Sequence, residues 1–179
     1  MGADCTFTRE GDIQKINMTE QNPSITILIA DDDLDDRAWI EQAFIESGVK
    51  TQLYYVQDGN ELLQYLHKQG RFSSPGVAPP PDLILLDLNM PGKDGRQALV
   101  ELKAEPDIRR IPVVVLTVST DEQDIRHTYD HGGAGFIIKP DKFDGMVEVV
   151  KVLNQYWFET VELASGQLVR KIRHHRPNH

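Results

Sequence analysis

The sequence predicts an α/β fold: a doubly wound parallel sheet of five strands with five helices. Short continuous apolar runs rich in β-branched residues recur along the chain, and such runs read as strands buried on both faces. Helical patterns fill the intervals between them, and strands alternating with helices imply βαβ units with right-handed crossovers. Acidic residues cluster at the ends of two of these runs, where the ligand crevice of such a sheet lies.

Residues 1–24 mix Gly, Thr, Asn, Gln and charges without periodicity, which predicts a disordered leader ending at Asn22-Pro23-Ser24. The first strand is Ile25-Thr26-Ile27-Leu28-Ile29-Ala30, followed by a helix over 34–47 that Glu46-Ser47-Gly48 stops with a glycine. A second strand near 53–57 turns at Asp58-Gly59 into a helix over 59–69. Residues 69–81 (QGRFSSPGVAPPP) form the one long loop, rich in Pro, Ser and Gly, and read as a surface insertion that is partly polyproline. The third strand, near 82–86, contains Leu83-Ile84-Leu85-Leu86 and leads to a helix over 95–104. Pro106 and Pro112 bracket the link to a fourth strand near 112–116. A helix over 121–131, a strand over 135–139 and a helix over 142–159 complete the alternation.

With 179 residues and an apolar fraction of 40%, the chain suits one domain of ordinary size. Its longest apolar run is far too short to span a bilayer. No charged-then-apolar signal segment is visible, so a cytoplasmic protein is the default expectation. The single cysteine, Cys5, cannot form an internal disulfide, which agrees with a reducing compartment. Net charge is −9. Because residues 161–179 carry Arg170, Lys171, Arg173 and Arg176 against Glu162, the body is more acidic than the whole, a poor footprint for nucleic acid. The basic tail reads as a solvated end.

The chemistry concentrates at the strand ends. Asp31, Asp32 and Asp33 follow the first strand and Asp87 follows the third, continuing as Leu88-Asn89-Met90-Pro91-Gly92. Carboxylates crowded there repel and call for a hard cation such as Mg²⁺. Thr117 follows the fourth apolar run and Lys139 closes the fifth. A carboxylate beside a cation, with an ammonium and a hydroxyl aimed at it, is equipped to receive a phosphoryl group as an acyl phosphate. Asp33 suits the N-cap of the first helix, which leaves Asp31 and Asp32 for metal. Lys139-Pro140 suggests a cis peptide that aims the lysine into the crevice. His67, His127 and His131 read as solvated helix residues, and His174, His175 and His179 as part of a floppy tail.

In their order and spacing these residues resemble a two-component response-regulator receiver domain. Asp87 in LDLNMPGKDG is followed at 30 and 52 residues by Thr117 and by Lys139-Pro140. The resemblance covers about residues 25–160 and implies a flavodoxin-like strand order 2-1-3-4-5. It implies that Asp87 is the phosphoacceptor, and that Mg²⁺ is held by Asp32, Asp87 and the Asn89 backbone carbonyl, with Asp31 acting through water. It further implies that Lys139 pairs with Asp87 and then the phosphoryl group, that Thr117 donates its hydroxyl to that group, and that Phe136 turns inward as Thr117 moves. A sensor histidine kinase or phosphotransfer protein is the implied donor, and no turnover enzyme is expected.

Val118 departs from the pattern, since the residue after the threonine is usually small, and its branched side chain could narrow access to Asp87. Ser119 and Asn89 are polar neighbours that could position a hydrolytic water. Two rivals stay open: a pseudo-receiver that binds without phosphorylation, for which Val118 speaks, and an aspartate-nucleophile phosphatase. The latter needs a second acid where Asn89 stands.

Too little chain follows Lys139 for a DNA-binding output domain, so a stand-alone receiver is expected, with residues 161–179 as a C-terminal extension. The aromatic segment from Asn154 to Leu163 and the insertion after the second helix are similar to small receivers that partner bacteriophytochrome-type histidine kinases. Tyr156, Trp157, Phe158, Val161 and Leu163 offer more apolar surface than one helix face can cover, which predicts a homodimer interface that phosphorylation biases.

Overall fold

Five parallel strands form the sheet: β1 (Ile25–Ala30), β2 (Thr51–Val56), β3 (Leu83–Leu86), β4 (Val113–Thr117) and β5 (Gly135–Ile138). They lie in the order β2-β1-β3-β4-β5, as expected. The computed structural model describes residues 25–163. The leader with Cys5, the basic tail and the histidines at 174, 175 and 179 lie outside the described residues. The helices are α1 (Leu34–Ser47), α2 (Gly59–His67), α3 (Gly95–Ala104), α4 (Glu122–Asp130) and α5 (Phe143–Asn154). Among the described residues no helix is long and apolar enough to cross a membrane.

Every residue of β3 and β4 is buried, because helices cover both faces of the sheet. The period of two divides each strand between the faces. Ile27, Ile29, Leu85, Val114 and Leu116 join α1 and α5 through Phe44, Met146 and Val150. Leu28, Ala30, Ile84, Leu86 and Val113 meet α2 and α3 through Leu62, Tyr65, Leu99 and Leu102.

Aspartate side chains cap four helices. Asp33, Asp58, Asp94 and Asp121 accept from backbone amides of α1, α2, α3 and α4 in turn, each contributing about 1 kcal/mol. Gly48 ends α1 at φ 69°, a left-handed conformation that a glycine adopts without strain.

Several expectations are corrected. Strand β2 starts two residues earlier than expected and pairs with β1 over its whole length, Ile25 opposite Thr51 through Ala30 opposite Val56. Helix α5 stops at Asn154 and gives way to a π-helical turn, Gln155–Thr160. The insertion is not merely a surface loop. After a short 3₁₀ turn, Gly70–Phe72, it buries Phe72 and Ala78 in the second core cluster, and Tyr65 donates its hydroxyl to the Pro79 carbonyl at 3.0 Å.

The aromatic segment also folds back. Phe158 and Leu163 are buried in the core between α1 and α5, and Trp157 and Val161 pack against it half-buried. Of the five residues expected at an interface, Tyr156 alone is exposed. Much of the apolar surface that suggested a dimer is thus taken up within the chain, with Phe158 buried in the π-helical turn and Tyr156 left exposed.

Candidate functional site

The crevice lies at the carboxyl ends of β1, β3, β4 and β5. Pairing sets its floor: Ala30 lies opposite Leu86, and Thr117 opposite Ile138. The chain therefore leaves adjacent strands at Asp31 and Asp87. Carboxylate oxygens of Asp31, Asp32 and Asp87 all lie within 4.8 Å of one another. Asp31 and Asp87 are buried while Asp32 is exposed. Two buried anions backed by an exposed third form an open-mouthed oxygen cluster, which suits a hard divalent cation that keeps some of its water.

Loops hold the acids in place. The Asp31 side chain accepts from the Asp33 amide at 2.9 Å, and the Asp87 side chain from the Asn89 amide at 3.3 Å. Arg37, one turn into α1, donates to the Asp31 carbonyl and, at 3.0 Å, to the Val56 carbonyl, so β1, β2 and α1 are tied beside the crevice. Below Asp87, Gly95 opens α3. A β-carbon there would fall on the Asp87 carbonyl oxygen and within 2.8 Å of the Leu88 Cα, so the close approach requires glycine.

Lys139, buried at the end of β5, donates to Asp31 at 2.8 Å, Asp36 at 2.6 Å and Asp87 at 3.4 Å. Burial disfavours its charge, yet hydrogen bonds to Asp31 and Asp36 and the charges of Asp31 and Asp87 raise its pKa above the ordinary lysine value. Asp31 is also raised, and burial is the largest cause. The Lys139 hydrogen bond opposes that shift, and the Asp87 charge reinforces it. The cluster thus holds more negative charge than its lysine balances.

Thr117, fully buried, is the last residue of β4, and its hydroxyl oxygen lies 3.4 Å from the Ser119 amide and 3.5 Å from the Asn89 side-chain amide. Phe136 is half-buried on β5 opposite Val115. Val118, the residue after Thr117, is 62% exposed. Lys139-Pro140 is a trans peptide, since no described peptide bond is cis. The lysine is aimed instead by its strand position and its carboxylate partners. Asp33 caps α1 as expected and stays outside the metal cluster. His67 and His131 are exposed, whereas His127 is half-buried with its Nε2 enclosed.

Two features escaped the sequence. Asp36 shares Lys139 from the first turn of α1, one helical turn beyond the Asp33 cap, and that spacing was its only local signal. Arg96 of α3 grips Asp124 of α4 with two contacts of 2.5 Å, and Ser119 donates to the same carboxylate at 2.6 Å. The Arg96 hydrogen bond holds the Asp124 carboxyl below the usual carboxylate range, and in return raises the guanidinium. Arg96 also reaches Asn89 at 3.5 Å, so the two polar neighbours of Asp87 and Thr117 are linked through one ion pair. A separate cavity of about 310 Å³ lies at the other end of the sheet, lined by Tyr65, Pro79, Asp82 and Pro112, far from these groups.

Comparison with known proteins converges on the same region. The family described as "Response regulator receiver domain" matches residues 27–151. Response regulator Rcp1 of Synechocystis is 36% identical over 147 residues, spanning 82% of this chain and 98% of the relative. A crystal structure of the phosphorylated cyanobacterial phytochrome response regulator RcpA is 38% identical with a TM-score of 0.74, covering 79% of this chain and 99% of that one. The Mn²⁺-bound form of Rcp1 is 35% identical with a TM-score of 0.70, covering 78% of this chain and 98% of that one.

Proposed function

The chain belongs to the response regulator receiver domain family, and from that premise we propose that it is a phosphoryl-accepting switch with Asp87 as acceptor. The observation that carries this reading is the convergence of three strand-end carboxylates with Lys139 and Thr117 on one crevice. The donor is a sensor histidine kinase or a phosphotransfer protein. An Asp87 oxygen bonds to phosphorus as the phosphorus–nitrogen bond of a phosphohistidine breaks, and the electron pair leaves with the imidazole nitrogen. Thr117 donates its hydroxyl to a phosphoryl oxygen and Lys139 pairs with another. Asp32, Asp87 and the Asn89 carbonyl would hold Mg²⁺, with Asp31 acting through water. When bound, the cation supplies charge neutralisation at the phosphoryl oxygens. Hydrolysis restores the carboxylate: water bonds to phosphorus, the bond to Asp87 breaks, and phosphate leaves. The protein is then a switch that resets slowly, not a turnover enzyme.

We infer further that it acts as a stand-alone receiver whose kinase is phytochrome-like. The match spans 98% of Rcp1, and RcpA is described as a phytochrome response regulator. A homodimer through the fifth helix is a proposal that now rests on Val152 and Tyr156, the large apolar residues of that end which remain exposed. Sedimentation with and without a phosphoryl mimic tests it, and a monomer in both states refutes it.

The central test is phosphorylation by acetyl phosphate, followed by intact mass. Wild type gains one phosphoryl group in Mg²⁺ and none in excess chelator, and Asp87→Asn gains none. Equal labelling of the variant, or labelling undiminished by chelator, overturns the assignment.

A further inference from the structure

Lys139 is held closest not by the acceptor but by a residue outside the metal cluster. Its ammonium lies 2.6 Å from Asp36 and 2.8 Å from Asp31, against 3.4 Å from Asp87. Asp36 contributes no oxygen to the group formed by Asp31, Asp32 and Asp87. It meets that group through the lysine. Its own position is fixed, because its amide is bonded by the Asp33 cap at 3.3 Å and the adjacent Arg37 ties the same turn to β1 and β2.

We propose that Asp36 is a positioning residue that draws Lys139 off Asp87 in the resting state. This rests on the reading of Asp87 as phosphoacceptor. An ammonium and a divalent cation compete for the same carboxylate oxygens, since each neutralises what the other would bind. With Asp36 sharing the ammonium, Asp31 and Asp87 keep more charge for the cation. When a phosphoryl group arrives on Asp87, its added negative charge competes for the ammonium, and Lys139 turns from Asp36 to the new oxygens. Asp36 therefore favours metal binding before transfer and opposes the phosphorylated form after it.

The two effects have opposite signs, which separates this role from simple damage. In Asp36→Asn, the lysine settles on Asp31 and Asp87, and the Mg²⁺ dissociation constant by calorimetry rises up to roughly fivefold, the range for a partly exposed ion pair. At saturating Mg²⁺ the same variant binds beryllofluoride more tightly by a similar factor, because Lys139 is free to pair with it. Asp36→Glu keeps the carboxylate and returns both values toward wild type. In a Lys139→Met background, Asp36→Asn changes neither value. Four results overturn the proposal: an unchanged Asp36→Asn, a loss of both affinities together, a Glu variant as far from wild type as the Asn variant, or the full effect persisting without Lys139. The single-variant readouts stand even where the double variant does not fold. Wild type that takes no beryllofluoride would instead refute the phosphoacceptor reading itself.

Discussion

Replacing Lys139 by Met tests the charge imbalance at the heart of the site. Met has a similar length and no charge, so the substitution removes the ammonium with little change in volume. Asp31 and Lys139 are 2.8 Å apart with side chains 2% and 5% exposed, which places them among buried pairs. Removing one partner of such a pair costs about 3–5 kcal/mol, because the other charge is left uncompensated. Asp36 is 33% exposed and water screens its share, while the Asp87 contact is the longest of the three, so the lower end applies. A loss of about 3 kcal/mol lowers the urea midpoint by about 1.5 M at a typical slope near 2 kcal/mol/M. The melts are followed by far-UV circular dichroism at pH 7, in chelator and in excess Mg²⁺. Without the lysine the carboxylates bind the cation harder, and tenfold tighter binding narrows the gap to wild type by about 1.4 kcal/mol. A variant as stable as wild type in chelator, or a gap that Mg²⁺ leaves unchanged, would refute the reasoning.

The remaining expectations use other parts of the molecule. Asp31→Asn is more stable than wild type in chelator at neutral pH, because Lys139 keeps Asp36 and Asp87 as partners while the crowded acids lose one charge, as urea melts at several pH values will show. Folded Asp31 titrates above its unfolded value of 3.8, so the folded chain binds more protons there. Its contribution to stability is therefore lost as pH rises through the folded pKa, and the advantage of Asn grows over that window and disappears below it. Gly95→Ala forces the Asp87 carbonyl and Leu88 apart from α3; a destabilisation of about 2 kcal/mol and weaker Mg²⁺ binding by calorimetry are expected, and a wild-type melt counts against the packing. Phe158→Ala costs about 3 kcal/mol in a urea melt at fixed protein concentration, since the ring is buried in the core between α1 and α5. A Phe158→Ala melt matching wild type would count against its place in the core.

Most of the fold was legible in the chain because its signals are local. A strand buried on both faces has to be apolar throughout, so LILL and VVVLT announce themselves without reference to neighbours. Asp33 needs only the amides of the next turn to cap α1. Strand ends in a parallel sheet converge by topology, so Asp31, Asp32, Asp87, Thr117 and Lys139 could be placed in one crevice from their order alone. What tertiary structure decided is who shares whom. Asp36 and Lys139 are 103 residues apart, and Arg96 and Asp124 are 28 apart. No periodicity links such pairs, because their meeting depends on how helices seat against the sheet. The same holds for Phe158 and Leu163, whose apolar character was plain but whose burial depended on a wider turn after α5. It holds again for Phe72 and Ala78, where a Pro-rich stretch looked like surface until the core beside α2 received it. Composition states that a side chain must leave water; only the packed chain determines which surface takes it in.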